Sequence, residues 1–400
     1  MCGINVSRAS EKAVKNMNSM IAHRGLPGRS NTYSIDGFHF GQVRLPIMGL
    51  SKDFDQPYLY DDKIFLFAGE IYNYKELDPT AKSDVEVLAK MWCECSMSCF
   101  YLFDGMWSVI IYDTKSKELH VITDFLAKKP LYIHTPTGSI SSEIKALVNF
   151  GATVDPYYFS KVNKWGYCIG NETSFCEIKK IPEGTHLVFG NDFPVREEQY
   201  IRNEPSIGMD IGIRQRIETA VKNRLVSDIK VGLLLSGGLD SSIIYKIMEK
   251  ITHDFVIFHI GDEEAEFLNY LDIPSDIDVR RIETYDSQLS DIFEELVFYH
   301  LPRLDKLMMS GTIELRSPFL NRQVIDGALN LRYSERYQDG VRKKYLKEIF
   351  SDILPSEIIS REKLPLKSPQ VISGGIKWRT YLSDKFISEV ISRYIMEDFG

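Results

Sequence analysis

No apolar run in the 400 residues approaches the roughly 20 needed to cross a bilayer, so no membrane-spanning helix is expected. The N-terminus also lacks the charged-then-apolar pattern of a secretory leader, and Cys2 stands where one would begin. A cytoplasmic location is the expectation. A basic surplus is missing as well. Lys and Arg number 48 against 56 Asp and Glu, a net charge of −8, which gives no electrostatic footprint for nucleic acid or an anionic membrane. Cysteine is scarce. Six residues scattered over this length suit a reducing compartment better than a disulfide framework. Three of them, Cys93, Cys95 and Cys99, lie close together. Their spacing is not that of a zinc knuckle, no histidine is near, and SDVEVLAKMWCECSMSCF reads as a helix. They are expected to be buried or inert thiols. Internal repeats and low-complexity tracts are absent too.

What is present reads as two domains with ordinary apolar and charged fractions, 44% and 26%. The first half is β-rich, with short runs such as FHFGQVRL, IFLFAGEIYN, MWSVIIYD, LHVITD and PLYIHT between Gly, Asp, Asn and Pro turns. Helical patterns interrupt it near 10–22 and 83–100. Layered sheets with helices outside would bury such strands. The texture changes at YIRNEPSIG, a polar segment with Pro and Gly, and the domains divide there as 1–203 and 204–400. Beyond it the pattern is α/β: a helix over 208–227, a strand over 231–235, a helix over 240–251 and a strand over 255–260. From 286 onward the chain reads as mostly helical.

The strongest local signal is Ser236-Gly237-Gly238-Leu239-Asp240-Ser241-Ser242 behind the apolar VGLLL ending at Leu235. Two glycines let the backbone approach an anion, and the following helix N-terminus aims amide groups at it. Ser236, Ser241 and Ser242 add hydroxyl donors, and Asp240 offers a ligand for Mg²⁺ against phosphates. This is not the GxxxxGK[ST] loop; it reads as the pyrophosphatase-type loop, which cleaves ATP to AMP and pyrophosphate. At the other end of the chain, Cys2 becomes the N-terminal residue once Met1 is trimmed. Its thiol and α-amine then share one carbon, a nucleophile beside a base.

Further motifs carry a resemblance across both halves. They are MCGI at 1–4, HRG at 23–25, GQVRLPI at 41–47, GEIYNYKEL at 69–77, SDVEVL at 83–88, DGMWSVIIYD at 104–113, KKPLYI at 128–133 and SSEIKAL at 141–147. The second half adds ELRSPFLN at 314–321, LPSEI at 354–358 and the Arg361–Lys363 pair. In this order they resemble the glutamine-hydrolysing asparagine synthetase family. The resemblance implies an αββα layered, N-terminal-nucleophile hydrolase-like domain, then an α/β ATP-pyrophosphatase domain with a helical C-terminal part.

By that resemblance Cys2 attacks the side-chain amide of glutamine and Gly69 helps hold the oxyanion. Arg44 takes the glutamine α-carboxylate, Asp84 its α-ammonium, and Glu70 lies in the same pocket. The ATP site is Leu235, Ser236, Gly237, Gly238, Asp240, Ser241 and Ser242, with Mg²⁺ on Asp240. Ammonia crosses between the domains to an activated carboxylate, aspartate by family default. Lys363 neutralises charge in the transition state, and Lys344 with Glu348 sits near the acceptor end. Solvated i,i+4 charges on one helix remain the plainer reading of that last pair. A homodimer is the family's implied assembly.

The sequence also departs from the family. Ala68 stands where an Asn side chain would be the second oxyanion donor, a loss of about 10²–10³ in rate at such sites. Where the family reads HRGPDG this sequence has His23-Arg24-Gly25-Leu26-Pro27-Gly28, so an acidic neighbour of the pocket is missing, and Asn321 replaces the Asp after PFL. Between Ile260 and Leu301 nothing matches the family's second phosphate and metal element, S-G-E-G-A-D-E-x-F-G-G-Y. Three readings stay open: a glutamine-dependent amide ligase, the same chemistry on a non-amino-acid acceptor, or a catalytically impaired binding or regulatory relative.

Overall fold

The computed structural model describes residues 2–158, 170–190, 196–200, 212–260, 265–282, 300–331 and 341–361, with isolated positions 162, 335, 337 and 338. The domain division at 203/204 and Lys363 lie outside these described residues.

The first half opens with β1 (Gly3–Ser7), α1 (Glu11–Met20), β2 (Ser30–Ile35), β3 (Phe38–Val43), β4 (Tyr58–Tyr60), β5 (Lys63–Ile71) and α2 (Asp84–Cys95). Strands β6 (Gly105–Asp113), β7 (Glu118–Thr123), β8 (Tyr132–His134), β9 (Ser139–Ser141), β10 (Ile178–Lys180), β11 (Thr185–Phe189) and β12 (Arg196–Gln199) follow. They form two six-stranded sheets, ordered β10-β8-β9-β1-β3-β2 and β12-β11-β7-β6-β5-β4. Every described pairing in them is antiparallel.

Side-chain alternation stacks these layers. Ile4, Val6 and Phe40 of the first sheet meet Ile64, Leu66, Ala68 and Ile110 of the second. The opposite faces of β5 and β6, with Phe65, Phe67, Val109 and Ile111, pack on Val85, Leu88 and Trp92 of α2. Strands β5 and β6 are thus covered on both faces, which is why they read as nearly continuous apolar runs. Helix α1 covers the first sheet with Val14 and Met17 against Val43 and Ile178. The result is the expected αββα stack. The helix expected over 83–100 ends at Cys95 and continues as a 3₁₀ segment, Ser96–Tyr101.

The second half has α3 (Ile213–Arg224), β13 (Val231–Leu234), α4 (Leu239–Ile251), β14 (Phe255–Ile260) and β15 (Asp278–Ile282). Its three strands are parallel in the order β13-β14-β15. The polar sequence DVRRI gave no strand signal for β15; its pairing with β14 supplies the stabilisation instead. Helices α5 (Leu301–Ser310), α6 (Arg322–Leu329) and α7 (Lys344–Ile349) bear out the helical texture of the C-terminal part. A short hairpin, Tyr337–Gln338 with Val341–Arg342, was not expected. Ile217 and Val221 of α3 and Ile243 and Ile247 of α4 share one core with Leu233, Ile257, Phe350, Leu354 and Ile358. No described helix is long and apolar enough to cross a membrane.

Charged groups join the two halves. Asp104 accepts from both Nη atoms of Arg224 at 2.9 Å and from Asn223 Nδ2 at 2.9 Å. Asn321 donates its Nδ2 to Asp104 at 2.9 Å while its Oδ1 caps α6 through Gln323 N and Val324 N. An aspartate there would keep the cap but face the Asp104 carboxylate with a second negative charge. Across the seam, buried Arg24 pairs with Glu143 at 3.0 Å and with Asp305 of α5 at 2.9 Å.

Candidate active site

Cys2 precedes β1 and lies almost fully buried, lining a pocket with Arg44, Gly69, Glu70, Ser83 and Asp84. The fold gathers these from four places in the chain. Arg44 follows β3, Gly69 and Glu70 end β5, and Ser83 and Asp84 start α2. Burial pushes the Cys2 thiol above its ordinary value, against the opposing charges of the chain N-terminus and Arg44. A thiol held in its neutral form needs a base close by to become a nucleophile.

Gly69 is fixed by its backbone. Its φ is +151°, and an added Cβ would stand 2.0 Å from the Met106 carbonyl oxygen. No side chain fits so close to β6. The preceding Ala68 turns its methyl into the core between the sheets, where Cys2 also packs. It brings no hydrogen-bond donor to the pocket.

Asp84 serves the helix and the pocket together. Its Oδ1 accepts from Val85 N at 2.9 Å and from Ser83 Oγ at 3.2 Å, and its Oδ2 accepts from Ile71 N at 3.1 Å. Burial nevertheless raises its carboxyl to about 6, the backbone donors only moderating the rise. Glu70 is driven well up by burial and by the neighbouring acids Glu314 and Asp84. Its buried Oε2 has no described partner. Tyr72, two residues on, is covered by the guanidinium groups of Arg224 and Arg316, at 4.5 and 5.1 Å from its ring centre. Side chains of the second half thus brace segments beside the pocket, whose lining belongs to the first half. Asp228 adds to that, accepting from Gly49 N at 2.8 Å and donating its own N–H to Ile47 O at 2.9 Å.

Arg44 spreads its guanidinium over four acceptors: Ser51 O, Asp55 Oδ1, Met48 O and Gly49 O. Asp55 was not singled out from the sequence. The acid lies eleven residues from Arg44, and only the folded loop brings them together.

The glycine-rich segment sits at the carboxyl end of β13, where open parallel sheets place their ligands. Leu235 extends the ladder by donating its N–H to Phe258 O at 2.9 Å. Gly237 has φ +76°, and Gly238 is the residue from which α4 starts. Ser241 Oγ accepts from Ser236 N at 3.3 Å and donates to Gly238 O at 3.1 Å, which holds the turn closed on itself. Ser242 is buried, with no described partner for its Oγ.

Two cations from the C-terminal part reach this loop. Lys343 Nζ pairs with Asp240 Oδ2, and Arg361 Nη1 donates to Gly237 O at 2.9 Å. Lys343 carried no signal of its own in the run VRKKYLKE. Lys344 and Glu348 form an i,i+4 pair at 3.6 Å on α7, with Glu348 58% exposed. The described residues do not build a cage for Mg²⁺: Asp240 is already paired with Lys343, and no three His, Cys, Asp or Glu residues among them stand at metal-binding distance. The same holds for the Cys93–Cys99 cluster, where Cys99 is buried and Cys95 donates its thiol to Met91 O.

Comparison with known proteins assigns a family model to each half. Residues 1–201 fit the family model for a glutamine amidotransferase domain, and residues 212–275 and 280–384 fit that for asparagine synthase. Asparagine synthetase (glutamine-hydrolysing) 1 of Bacillus subtilis is 27% identical over 280 residues, covering 64% of this chain and 44% of its own. A Methanocaldococcus jannaschii protein is 29% identical over 303 residues, covering 63% of this chain and 58% of its own. One from Acanthamoeba polyphaga mimivirus is 25% identical over 450 residues, covering 88% and 80%. The match thus spans about half the length of the first two relatives. Both family models fall in order along one chain, and the chain belongs to the family of glutamine-hydrolysing asparagine synthetases.

Proposed function

We propose that this protein is a glutamine-dependent amide ligase, using nitrogen released at Cys2 to amidate a carboxylate activated by ATP. The observation that carries the reading is the joint presence of two sites in one chain. One is the buried Cys2 thiol among Arg44, Gly69, Glu70 and Asp84; the other is the Ser236–Ser242 loop at the end of β13.

With Met1 removed, the α-amine of Cys2 takes the thiol proton and Sγ attacks the amide carbon of glutamine. The Gly69 N–H supports the oxyanion, and the protonated α-amine returns its proton as ammonia leaves. Water then hydrolyses the thioester to glutamate. Arg44 receives the glutamine α-carboxylate and Asp84 its α-ammonium. In the second half the loop amides receive the phosphates of ATP, the acceptor carboxylate attacks the α-phosphorus, and pyrophosphate leaves. Ammonia displaces AMP from the acyl-adenylate and the amide forms. Arg361 and Lys343 supply positive charge beside the phosphates, and Lys363 is assigned the same work by the family motif. Aspartate is the default acceptor. Mg²⁺ accompanies ATP in this reading, and no step is assigned to it. The division at 203/204, a homodimeric assembly and a cytoplasmic location belong to the same proposal.

The test is AMP and pyrophosphate release by the purified protein with Mg-ATP and aspartate, comparing ammonium with glutamine. Aspartate-dependent AMP from both sources supports the reading. Cys2→Ala is expected to abolish the glutamine-driven reaction and spare the ammonium-driven one, and mass spectrometry should find Met1 absent. No AMP from either source, in a folded protein, overturns it. Ala68 favours one second reading: with no side-chain donor at that position, glutamine is bound but turned over slowly. Glutamine binding without measurable glutamate release would support that.

A further inference from the structure

The charges of the Cys2 pocket are arranged unevenly. On its acidic side Glu70 Oε2 is buried without a described partner, and Asp84 on the wall accepts, among the described residues, only from its own helix start and strand end. Its basic side is filled. Arg44 Nη1 donates to Ser51 O at 2.9 Å and to Asp55 Oδ1 at 2.8 Å; Nη2 donates to Met48 O at 3.1 Å and to Gly49 O at 2.6 Å. Each Nη carries two hydrogens, so neither has one to spare. Three of the acceptors are carbonyls of the turn after β3. The fourth is a carboxylate, the same chemical group that Arg44 is assigned to bind on glutamine.

Asp55 has somewhere else to go. Arg29 donates to it from Nε at 3.0 Å and from Nη2 at 2.6 Å, and both bonds end on Oδ1, the oxygen that also serves Arg44. Nε and Nη2 form an edge of the guanidinium that suits two-oxygen pairing with a carboxylate. A rotation of the Asp55 carboxylate gives Arg29 that pairing and frees Arg44 Nη1. The backbone need not follow, because the next residue is anchored. Gln56 N donates to Gln42 Oε1 at 2.8 Å, and Gln56 Oε1 accepts from Phe67 N at 2.5 Å.

We propose that Asp55 is an internal stand-in for the substrate α-carboxylate: it competes for Arg44 and thereby sets how tightly the pocket takes glutamine. Arg29 holds the position to which Asp55 withdraws. This inference rests on the glutamine reading given above and adds a specificity-determining residue to it. A purely orienting Asp55 would act with the opposite sign, since removing its charge would loosen Arg44 and weaken binding.

Sign is therefore the test. Ligand-observed NMR, which reads millimolar affinities, would follow L-glutamine and 4-aminobutanamide on the Cys2→Ala protein. The second ligand is glutamine without its α-carboxylate. Asp55→Asn is expected to tighten glutamine about tenfold, the scale of one charge-assisted hydrogen bond, and to leave 4-aminobutanamide within about twofold. Arg29→Ala is expected to weaken glutamine, because Asp55 then has Arg44 alone. Thermal midpoints confirm that each variant is folded. Weaker or unchanged glutamine binding by Asp55→Asn, or an equal shift for both ligands, overturns the stand-in. A diazoketone analogue of glutamine, applied to protein with Cys2 intact, judges the underlying reading separately. Labelling of Cys2 without tightening by Asp55→Asn sinks only the stand-in; no labelling and no binding in any variant sinks both.

Discussion

Acid should weaken glutamine binding through Asp84 while it strengthens the fold at the same residue. Burial raises this carboxyl from 3.8 to about 6. Its ionised fraction is then about 90% at pH 7 and about 10% at pH 5. If only the ionised form holds the α-ammonium, apparent Kd rises about eightfold to tenfold over that interval, following the competent fraction. Burial and its acidic neighbours Glu314 and Asp84 push the Glu70 carboxyl in the same direction. Stability moves the other way. A folded pKa above the unfolded one contributes stability that is complete below 3.8 and is lost as pH rises through about 6. The two-unit gap corresponds to about 3 kcal/mol. Loss of binding at pH 5 thus cannot be put down to unfolding at this residue. Calorimetry of L-glutamine with the Cys2→Ala protein, from pH 7.5 to 5, would measure the rise. Asp84→Asn should bind more weakly at pH 7 and show a flat profile. A flat profile in the parent protein, or a persisting slope in Asp84→Asn, would refute the assignment of Asp84 to the ammonium.

Three further outcomes follow from the geometry. Gly69→Ala forces a Cβ to 2.0 Å from a backbone oxygen at φ +151°, so it should cost several kcal/mol and lower the thermal midpoint by several degrees; a wild-type midpoint would show that β5 and β6 can separate there at little cost. Asn321→Asp keeps the α6 cap but sets a second carboxylate against Asp104, and a loss of about 1–3 kcal/mol is expected in denaturant unfolding. Raising salt should recover little of it, since the residue is buried. Asp240→Asn should remove its pairing charge for Lys343 and impair AMP formation while glutamate release from glutamine stands; equal loss of both would argue against separate sites.

What could be read beforehand follows the range of the physics involved. Strands β5 and β6 announced themselves because burial on both faces demands apolar residues at every position, a local constraint written in the local sequence. The Ser236–Ser242 turn was legible for the same reason, since a close backbone approach needs glycine wherever it occurs. Strand β15 was not, because DVRRI has no local preference for a strand and gains its pairing from β14. The site divides along the same line. Cys2 is marked by its place behind Met1, and Arg44, Gly69 and Asp84 only by the family resemblance; the fold does bring them to one pocket. Asp55 and Lys343 were invisible because a charge acquires its meaning from the charge it meets, and those meetings depend on loop paths that no local pattern encodes. Ala68 shows the converse. Its loss of a donor is plain in the sequence, yet only the structure shows the methyl filling the seam between the sheets beside Cys2. Restoring asparagine there would therefore add a donor and also push a polar group into a packed core. The two effects oppose each other within one substitution, so a gain in glutaminase rate should come with a measurable loss of stability.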